Sequence, residues 1–286
     1  MDQKIIDLYD RYTHGLLGRR DFLSRLAGLA GGTAAASALL PLLQNDYARA
    51  EIVRPDDPRL NAEIVKYPGA TGEVRACLAA PKGEAKLPGV VVIHENRGLN
   101  PHIEDVARRA ALDGFLALAP DALSQFGGTP QDEDKARELI GKLDSQATLN
   151  NFLAAVTYLK NHPRCTGKVG AVGFCWGGGM ANQLAVNSTD LRAAVAFYGR
   201  QPEPQDVPRI KAALLLHYAG LDERINSGIP AFEEALKKAG VAYKIYMYEG
   251  ANHAFHNDTN AARYDKAAGQ LAWQRTVEFL KEKLKS

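Results

Sequence analysis

The sequence has little cysteine and no excess of charge of one sign. Its 286 residues include three cysteines, Cys77, Cys165 and Cys175, which is neither the number nor the spacing of a disulfide framework or a zinc site. The 35 basic and 33 acidic side chains leave a net charge of +2 and no basic stripe, so nothing predicts a nucleic-acid partner. An odd number of cysteines leaves at least one thiol free, and a bridge between Cys77 and Cys165 stays open for an exported protein.

A long hydrophobic run is also absent, although residues 27–43 are apolar and uncharged. This run is short and rich in glycine compared with the roughly 20 residues that cross a bilayer. It follows the pair Arg19–Arg20, and Ala48-Arg49-Ala50 supplies a small-x-small cleavage pattern. The pattern predicts that residues 1–50 are a twin-arginine export signal, cut after Ala50, which the translocation machinery binds and which directs the protein to the periplasm.

The same fifty residues allow a second interpretation. Three aspartates, Asp2, Asp7 and Asp10, precede the arginine pair, and an acidic start is unusual for a signal. Residues 5–12 and 22–38 also read as helices. The alternative is therefore an N-terminal helical extension that packs on the domain of a cytoplasmic protein.

Strands alternate with helices over the rest of the chain. Residues 51–60 read as a linker because of the sequence Arg54-Pro55-Asp56-Asp57-Pro58, and residues 61–286 as one domain. Strands are expected at 62–67 and 73–80 (a hairpin), 90–93, 115–119, from 169, and at 193–197, 212–216 and 243–248; helices are expected at 101–112, 132–143, 146–160, 180–186, 229–238 and 262–284. The alternation predicts an α/β fold with a mostly parallel sheet and helices on both faces.

The sequence Gly173-Phe174-Cys175-Trp176-Gly177 matches the nucleophile-elbow pattern of α/β-hydrolases, with Cys in place of Ser. At such an elbow a strand turns sharply into a helix, and side chains two positions before and after the nucleophile would collide. Both positions therefore need glycine. The sulfur then lies at the positive end of a helix, which favours the reactive thiolate. A buried, inert cysteine in a glycine-rich turn is the alternative.

Partners for this cysteine follow in the order that the α/β-hydrolase fold requires, nucleophile, acid and histidine. Asp222 follows the strand predicted at 212–216, and His253 follows the strand predicted at 243–248. Because parallel strands end at the same edge of a sheet, Cys175, Asp222 and His253 are predicted to form a catalytic triad. His253 would exchange protons with the nucleophile and the leaving group, and Asp222 would orient its imidazole.

The motifs together resemble the dienelactone hydrolase family, the carboxymethylenebutenolidases. The resemblance covers residues 60–284 and rests on four stretches: Glu95-x-x-Gly98-Leu99-Asn100, Gly173 to Gly178, the Asp222 loop and Gly250-x-x-His253-x-Phe255. It implies a hydrolase of a small lactone or ester, with Glu95 controlling the ionisation of the resting cysteine. The oxyanion hole is assigned to the backbone N–H groups of Trp176 and Asn96.

The sequence departs from the family at the groups that bind the substrate. The family's type enzyme anchors a substrate carboxylate with two arginines; one of these positions is Asn257 here, and the loop at 121–128 has no arginine. Tyr198, Arg97 and Phe126 are the predicted pocket residues. His94, His217 and the pair His253-x-x-His256 lack the spacing of a metal site, so neither a metal nor another cofactor is expected.

Two other functions remain open at this point. One is a thioesterase or another hydrolase on the same scaffold. The other is a non-catalytic exported thiol protein, in which Cys175 pairs with another thiol.

Overall fold

A computed structural model describes residues 1–49 and 51–285 of the chain. Its centre is an eight-stranded sheet in the order β1-β2-β4-β3-β5-β6-β7-β8. The strands are β1 (Leu60–Gly69), β2 (Gly72–Pro81), β3 (Leu87–Ile93), β4 (Leu116–Pro120), β5 (Cys165–Phe174), β6 (Leu191–Phe197), β7 (Ala213–Ala219) and β8 (Tyr243–Tyr248). Strands β4, β3, β5, β6, β7 and β8 are parallel, and the β1–β2 hairpin joins antiparallel to β4.

Helices connect these strands and cover both faces of the sheet. They are α1 (Gln3–Thr13), α2 (Arg19–Ala30), α3 (Thr33–Leu43), α4 (Pro101–Leu112), α5 (Glu133–Ile140), α6 (Ser145–Asn161), α7 (Trp176–Asn187), α8 (Glu223–Asn226), α9 (Ile229–Ala239) and α10 (Lys266–Lys283). The predicted α/β architecture is confirmed. The main differences are that β5 and α7 each begin four residues before their predicted starts, α10 begins four residues after its predicted start, and α8 was not predicted.

The β-branched run of β3 shows why this sheet is buried on both faces. Val91 and Ile93 belong to the core beneath one face, with Phe152 of α6. Val90 and Val92 belong to the core beneath the other face, where α4 and α10 pack. All four side chains are fully buried, because successive residues of a strand point to opposite faces and both faces carry helices.

The N-terminal segment, defined here as residues 1–49, packs on the domain through α1, α2 and α3. Its own small core contains Tyr9, Phe22, Leu26 and Leu43, all buried. Hydrogen bonds tie its end to the domain: the Asn260 side chain donates to the carbonyl of Leu43 at 2.7 Å. The alternative interpretation of this segment predicted two packed helices, and the structure has three. The predicted helix at 22–38 is divided into α2 and α3 by Gly31 and Gly32, whose φ angles are 81° and 142°.

Some predictions for the N-terminal part concern membrane passage and processing. Among the described residues, no single helix has both the length and the apolar character to cross a bilayer; α2 and α3 together satisfy that test, but they are bent by 111°. Residue 50, after which cleavage is predicted, lies outside the described residues. Cys77 and Cys165, for which a bridge was left open, are both buried free thiols.

Candidate active site

The nucleophile elbow has the geometry that its glycines predict. Cys175 lies between the end of β5 and the start of α7, with φ of 56° and ψ of −114°, a strained backbone conformation for a residue with a side chain. A Cβ atom at Gly173 would overlap the carbonyl of Gly177, and one at Gly177 would overlap the carbonyls of Ile93 and His94. Only glycine at both positions lets the helix approach the neighbouring strand this closely.

Asp222 and His253 meet at the carboxyl edge of the sheet. Asp222 follows β7 and His253 follows β8, and the carboxylate accepts a hydrogen bond from Nδ1 of His253 at 2.5 Å. Both residues are 5% exposed. Asp222 also caps α8, since it accepts a longer hydrogen bond from the Ile225 N–H at 3.3 Å. Catalytic orientation and helix capping are therefore compatible roles for this side chain.

Cys175 and His253 alter each other's ionisation. Burial alone would raise the pKa of the Cys175 thiol, but the positive charges of His253 and His14 outweigh burial and lower it to about 6. Burial alone would lower the pKa of His253, but the Asp222 carboxylate and the Cys175 thiolate outweigh it and raise the pKa to about 10. At neutral pH the pair is therefore a thiolate and an imidazolium.

His14 of the N-terminal segment is the residue that the sequence analysis missed. Its Nε2 lies 3.4 Å from the sulfur of Cys175, within hydrogen-bonding distance. The Nε2 of His253 has no hydrogen-bond partner among the described residues, and one ring nitrogen of His253 lies within 4.8 Å of the same sulfur. The available signal was an aspartate four residues before a histidine, Asp10 and His14, on an amphipathic helix, together with the unusual acidity of the start.

The two residues assigned to the oxyanion hole flank the sulfur. Trp176 is the first residue of α7, so its N–H lies at the positive end of a helix. Asn96 follows β3, and both residues line the same cavity as Cys175. The Trp176 indole stacks on His94 with ring centroids 5.2 Å apart, and the Asn96 side chain donates to the Thr13 carbonyl at 2.8 Å.

Glu95, which the resemblance assigns to control of the cysteine's ionisation, is hydrogen-bonded to another residue. Its carboxylate is buried and accepts a hydrogen bond from the Asn257 side chain at 2.8 Å. Within residues 1–49 and 51–285, no hydrogen bond joins Glu95 to Cys175. The sulfur instead contacts His14, and the position where the type enzyme has an arginine serves here to bind Glu95.

A cavity of about 740 Å³ opens over the sulfur and contains one of the three predicted pocket residues. Tyr198 lines it together with Cys175 and His253. Arg97 is buried beneath α1 instead, where it donates to the Tyr9 hydroxyl at 3.0 Å. Phe126 is 43% exposed and lies outside this cavity. Neither Arg97 nor Phe126 lines this cavity; for Arg97 the reason is that its side chain binds α1 through Tyr9.

The histidines weighed as metal ligands have separate roles. His256 packs on Phe174 with ring centroids 4.9 Å apart, and His217 contacts the Tyr248 hydroxyl at 2.9 Å. A different set converges: one ligand atom from each of His14, Cys175 and His253 lies within 4.8 Å of the others. The set is the elbow cysteine with its two neighbouring imidazoles, the groups that alter its ionisation.

Comparison with known proteins places this geometry in a family. A family model described as the dienelactone hydrolase family matches residues 74–284, and one described as YqhI-like matches residues 1–31. The chain is 54% identical over 112 residues, 38% of this chain and 96% of the relative, to a candidate hydrolase fragment of Escherichia coli, YghX. It is 32% identical over 253 residues, 75% of this chain and 96% of the relative, to a candidate carboxymethylenebutenolidase of Saccharolobus solfataricus.

A solved structure agrees with this placement. The candidate dienelactone hydrolase of Klebsiella pneumoniae superposes with a TM-score of 0.71 at 26% identity. The superposition covers 78% of this chain and 99% of that one. The match between the folds therefore extends over the whole of the smaller protein.

Proposed function

The chain belongs to the dienelactone hydrolase family and is a hydrolase of lactones or carboxylic esters, and we propose that it cleaves them with Cys175 as nucleophile. His253 is the proton carrier in this proposal, and Asp222 orients it. The observation that supports the proposal best is the Asp222–His253 hydrogen bond of 2.5 Å beside a sulfur on a strained elbow. A structural cysteine would need neither the strain nor the buried ion pair.

The reaction runs through an acyl-thioester. The thiolate of Cys175 attacks the carbonyl carbon, a C–S bond forms, and the carbonyl electron pair moves to oxygen. The backbone N–H groups of Trp176 and Asn96 stabilise this oxyanion. When the carbonyl re-forms, the C–O bond breaks and the leaving alkoxide takes the Nε2 proton of the His253 imidazolium.

Water then resolves the acyl-enzyme. The neutral His253 accepts a proton from water as its oxygen attacks the thioester carbonyl. Collapse of the second tetrahedral intermediate breaks the C–S bond and releases the carboxylic acid. The thiolate and the imidazolium are regenerated, so the cycle closes without a cofactor.

The test is the variant Cys175→Ala, assayed against a panel of aryl esters, lactones and thioesters. We expect loss of activity by at least about a thousandfold, because the nucleophile is removed. Cys77→Ala is the matched control: burial raises the pKa of the Cys77 thiol to about 12, so it is not reactive at neutral pH. Full activity in Cys175→Ala would contradict the proposal.

The same panel separates the alternatives. A strong preference for thioesters would favour the thioesterase interpretation.

Mass spectrometry of protein quenched during turnover should find the acyl group on the Cys175 peptide. Titration of the folded protein should find one fast-reacting thiol, whereas a non-catalytic thiol protein with a bridged Cys175 would have none.

A further inference from the structure

Cys175 lies between two aspartate–histidine pairs, Asp222–His253 from the domain and Asp10–His14 from the N-terminal segment. We propose that His14, held by Asp10, is a second catalytic residue that shares the proton of the Cys175 sulfur and leaves His253 to serve the leaving group and water. This inference rests on the proposed nucleophile. It adds residues of a segment that lies outside the stretch matched by the dienelactone hydrolase model.

The hydrogen bonds of His14 fix which nitrogen faces the sulfur. Its Nδ1 donates to the Asp10 carbonyl at 2.8 Å and lies 3.3 Å from the Asp10 carboxylate. Nδ1 therefore carries a proton whether the ring is neutral or charged, and Nε2 is the nitrogen that faces the Cys175 sulfur 3.4 Å away. The Asp222 carboxylate binds Nδ1 of His253, so Nδ1 is the nitrogen that is hydrogen-bonded to an aspartate in both rings.

Contacts from the catalytic loops hold α1 in this position. Asn96, assigned to the oxyanion hole, donates to the carbonyl of Thr13, next to His14. Arg263 lies 3.6 Å from the Asp10 carboxylate. The His14 and His253 rings meet edge-to-face with centroids 4.7 Å apart. These contacts come from the loops that also carry the site, so the end of α1 is built into it.

The charges around His14 favour its protonated form. Burial alone would lower its pKa, but the Cys175 thiolate and Asp10 outweigh burial and raise it. Among the described residues, the charged groups that face His14 and Asp10 are Cys175, His253, Asp222, Arg224 and Arg263. Transfer of the thiol proton to Nε2 converts a thiol and a neutral imidazole into a thiolate and an imidazolium, with no net change in protons. The imidazolium then donates to the sulfur, as it would when the thiolate is expelled from the acyl-enzyme.

The first experiment measures the pH dependence of Cys175 alkylation by iodoacetamide, with a chelator present, in His14→Ala and His14→Gln. We expect the midpoint of alkylation to rise from about 6 by roughly one pH unit or more in both variants, since each such unit is about 1.4 kcal/mol of lost stabilisation of the thiolate. Esterase kcat should fall about ten- to a hundredfold at neutral pH, within the range for loss of one acid–base group. Lys4→Ala, an exposed change on the same helix, is the control and should match the wild type.

The second experiment separates imidazole chemistry from packing. Added imidazole should restore part of the lost activity in His14→Ala, and thermal melting should show that α1 remains folded. Asp10→Asn should move the alkylation midpoint in the same direction, by less. An unchanged midpoint and unchanged kcat in His14→Ala and His14→Gln would overturn the inference. If Cys175→Ala is inactive in that case, the proposed function is retained and only the role of His14 is rejected. If Cys175→Ala is active, the proposed function itself is rejected.

Discussion

Single residues determine how the nucleophile is presented. Cys175 has a left-handed φ of 56°, which is unfavourable for any side chain, and the flanking glycines remove the collisions that would make it impossible. The strain holds the sulfur at the end of α7 and beside two imidazoles. A thiolate is stable there because three positive contributions, the helix end, His253 and His14, act on one buried atom.

The glycine two positions after the nucleophile gives a prediction at this scale. In Gly177→Ala the new methyl group would overlap the carbonyls of Ile93 and His94, so the elbow must shift. We expect a loss of about 1–3 kcal/mol in the free energy of unfolding and a larger relative loss of esterase activity. Thermal or urea unfolding and kinetic assays measure the two effects.

Gly28→Ala is the matched control for that substitution. Gly28 lies within α2, and among the described residues no atom beyond its chain neighbours and the backbone of α2 lies within 4 Å of an added Cβ. Alanine there should stabilise the protein by about 0.4–1 kcal/mol, because it restricts the unfolded chain. Equal unfolding curves for Gly177→Ala and the wild type would contradict the packing argument for the elbow.

At the scale of elements, α1 is fastened to the domain through a buried arginine. Arg97 lies 3.1 Å from the Glu133 carboxylate of α5 and donates to the Tyr9 hydroxyl of α1. Burial alone would lower the pKa of Arg97, but the neighbouring acidic groups, Tyr9 and Glu133 foremost, outweigh burial and keep it above its usual value. The arginine that sequence reasoning assigned to the substrate pocket therefore holds the helix that forms one wall of the pocket.

Removal of this anchor should loosen the N-terminal segment. Arg97→Ala leaves the partly buried Glu133 without this partner, and breaking a buried pair costs about 3–5 kcal/mol. Limited trypsin digestion should then cut within residues 1–49 faster than in the wild type, while the domain stays resistant. Arg54→Ala, which removes an exposed pair with Asp56, is the control. Identical digestion of the two variants would show that Arg97 does not hold α1.

At the scale of the whole molecule, the N-terminal segment has two candidate roles. It carries the twin-arginine pair that predicts export to the periplasm, and in the structure Arg19 of this pair contacts Asp134 of α5. It also brings His14 to the sulfur. Cleavage after residue 50 would remove Asp10 and His14 from the site, so the two roles conflict unless the segment is retained.

Cell fractionation followed by intact-mass measurement decides between them. Because residues 1–49 form part of the cavity wall, we propose that they are the helical extension and expect the active protein to retain them. Replacing Arg19 and Arg20 by lysine tests the role of the pair in export. A chain beginning at Glu51 in the periplasm, fully active, would support the export signal and contradict the retained extension.

The linear sequence by itself predicted the α/β fold and the cysteine at its elbow, which we propose as the nucleophile. Strands and helices leave local patterns in the sequence, so their alternation was enough to predict a parallel sheet. The elbow requires glycine two positions before and two positions after its central residue, so Cys175 could be identified from the sequence. The Asp222–His253 contact followed from topology, because parallel strands end at one edge. Tertiary structure decided the rest. His14 lies 161 positions before Cys175, at the end of α1, and no local pattern links the two residues. The sequence around Arg97 likewise does not show that this loop arginine binds Tyr9 of α1. Where a helix docks depends on the complementary shape and charge of two distant surfaces, which no local pattern encodes.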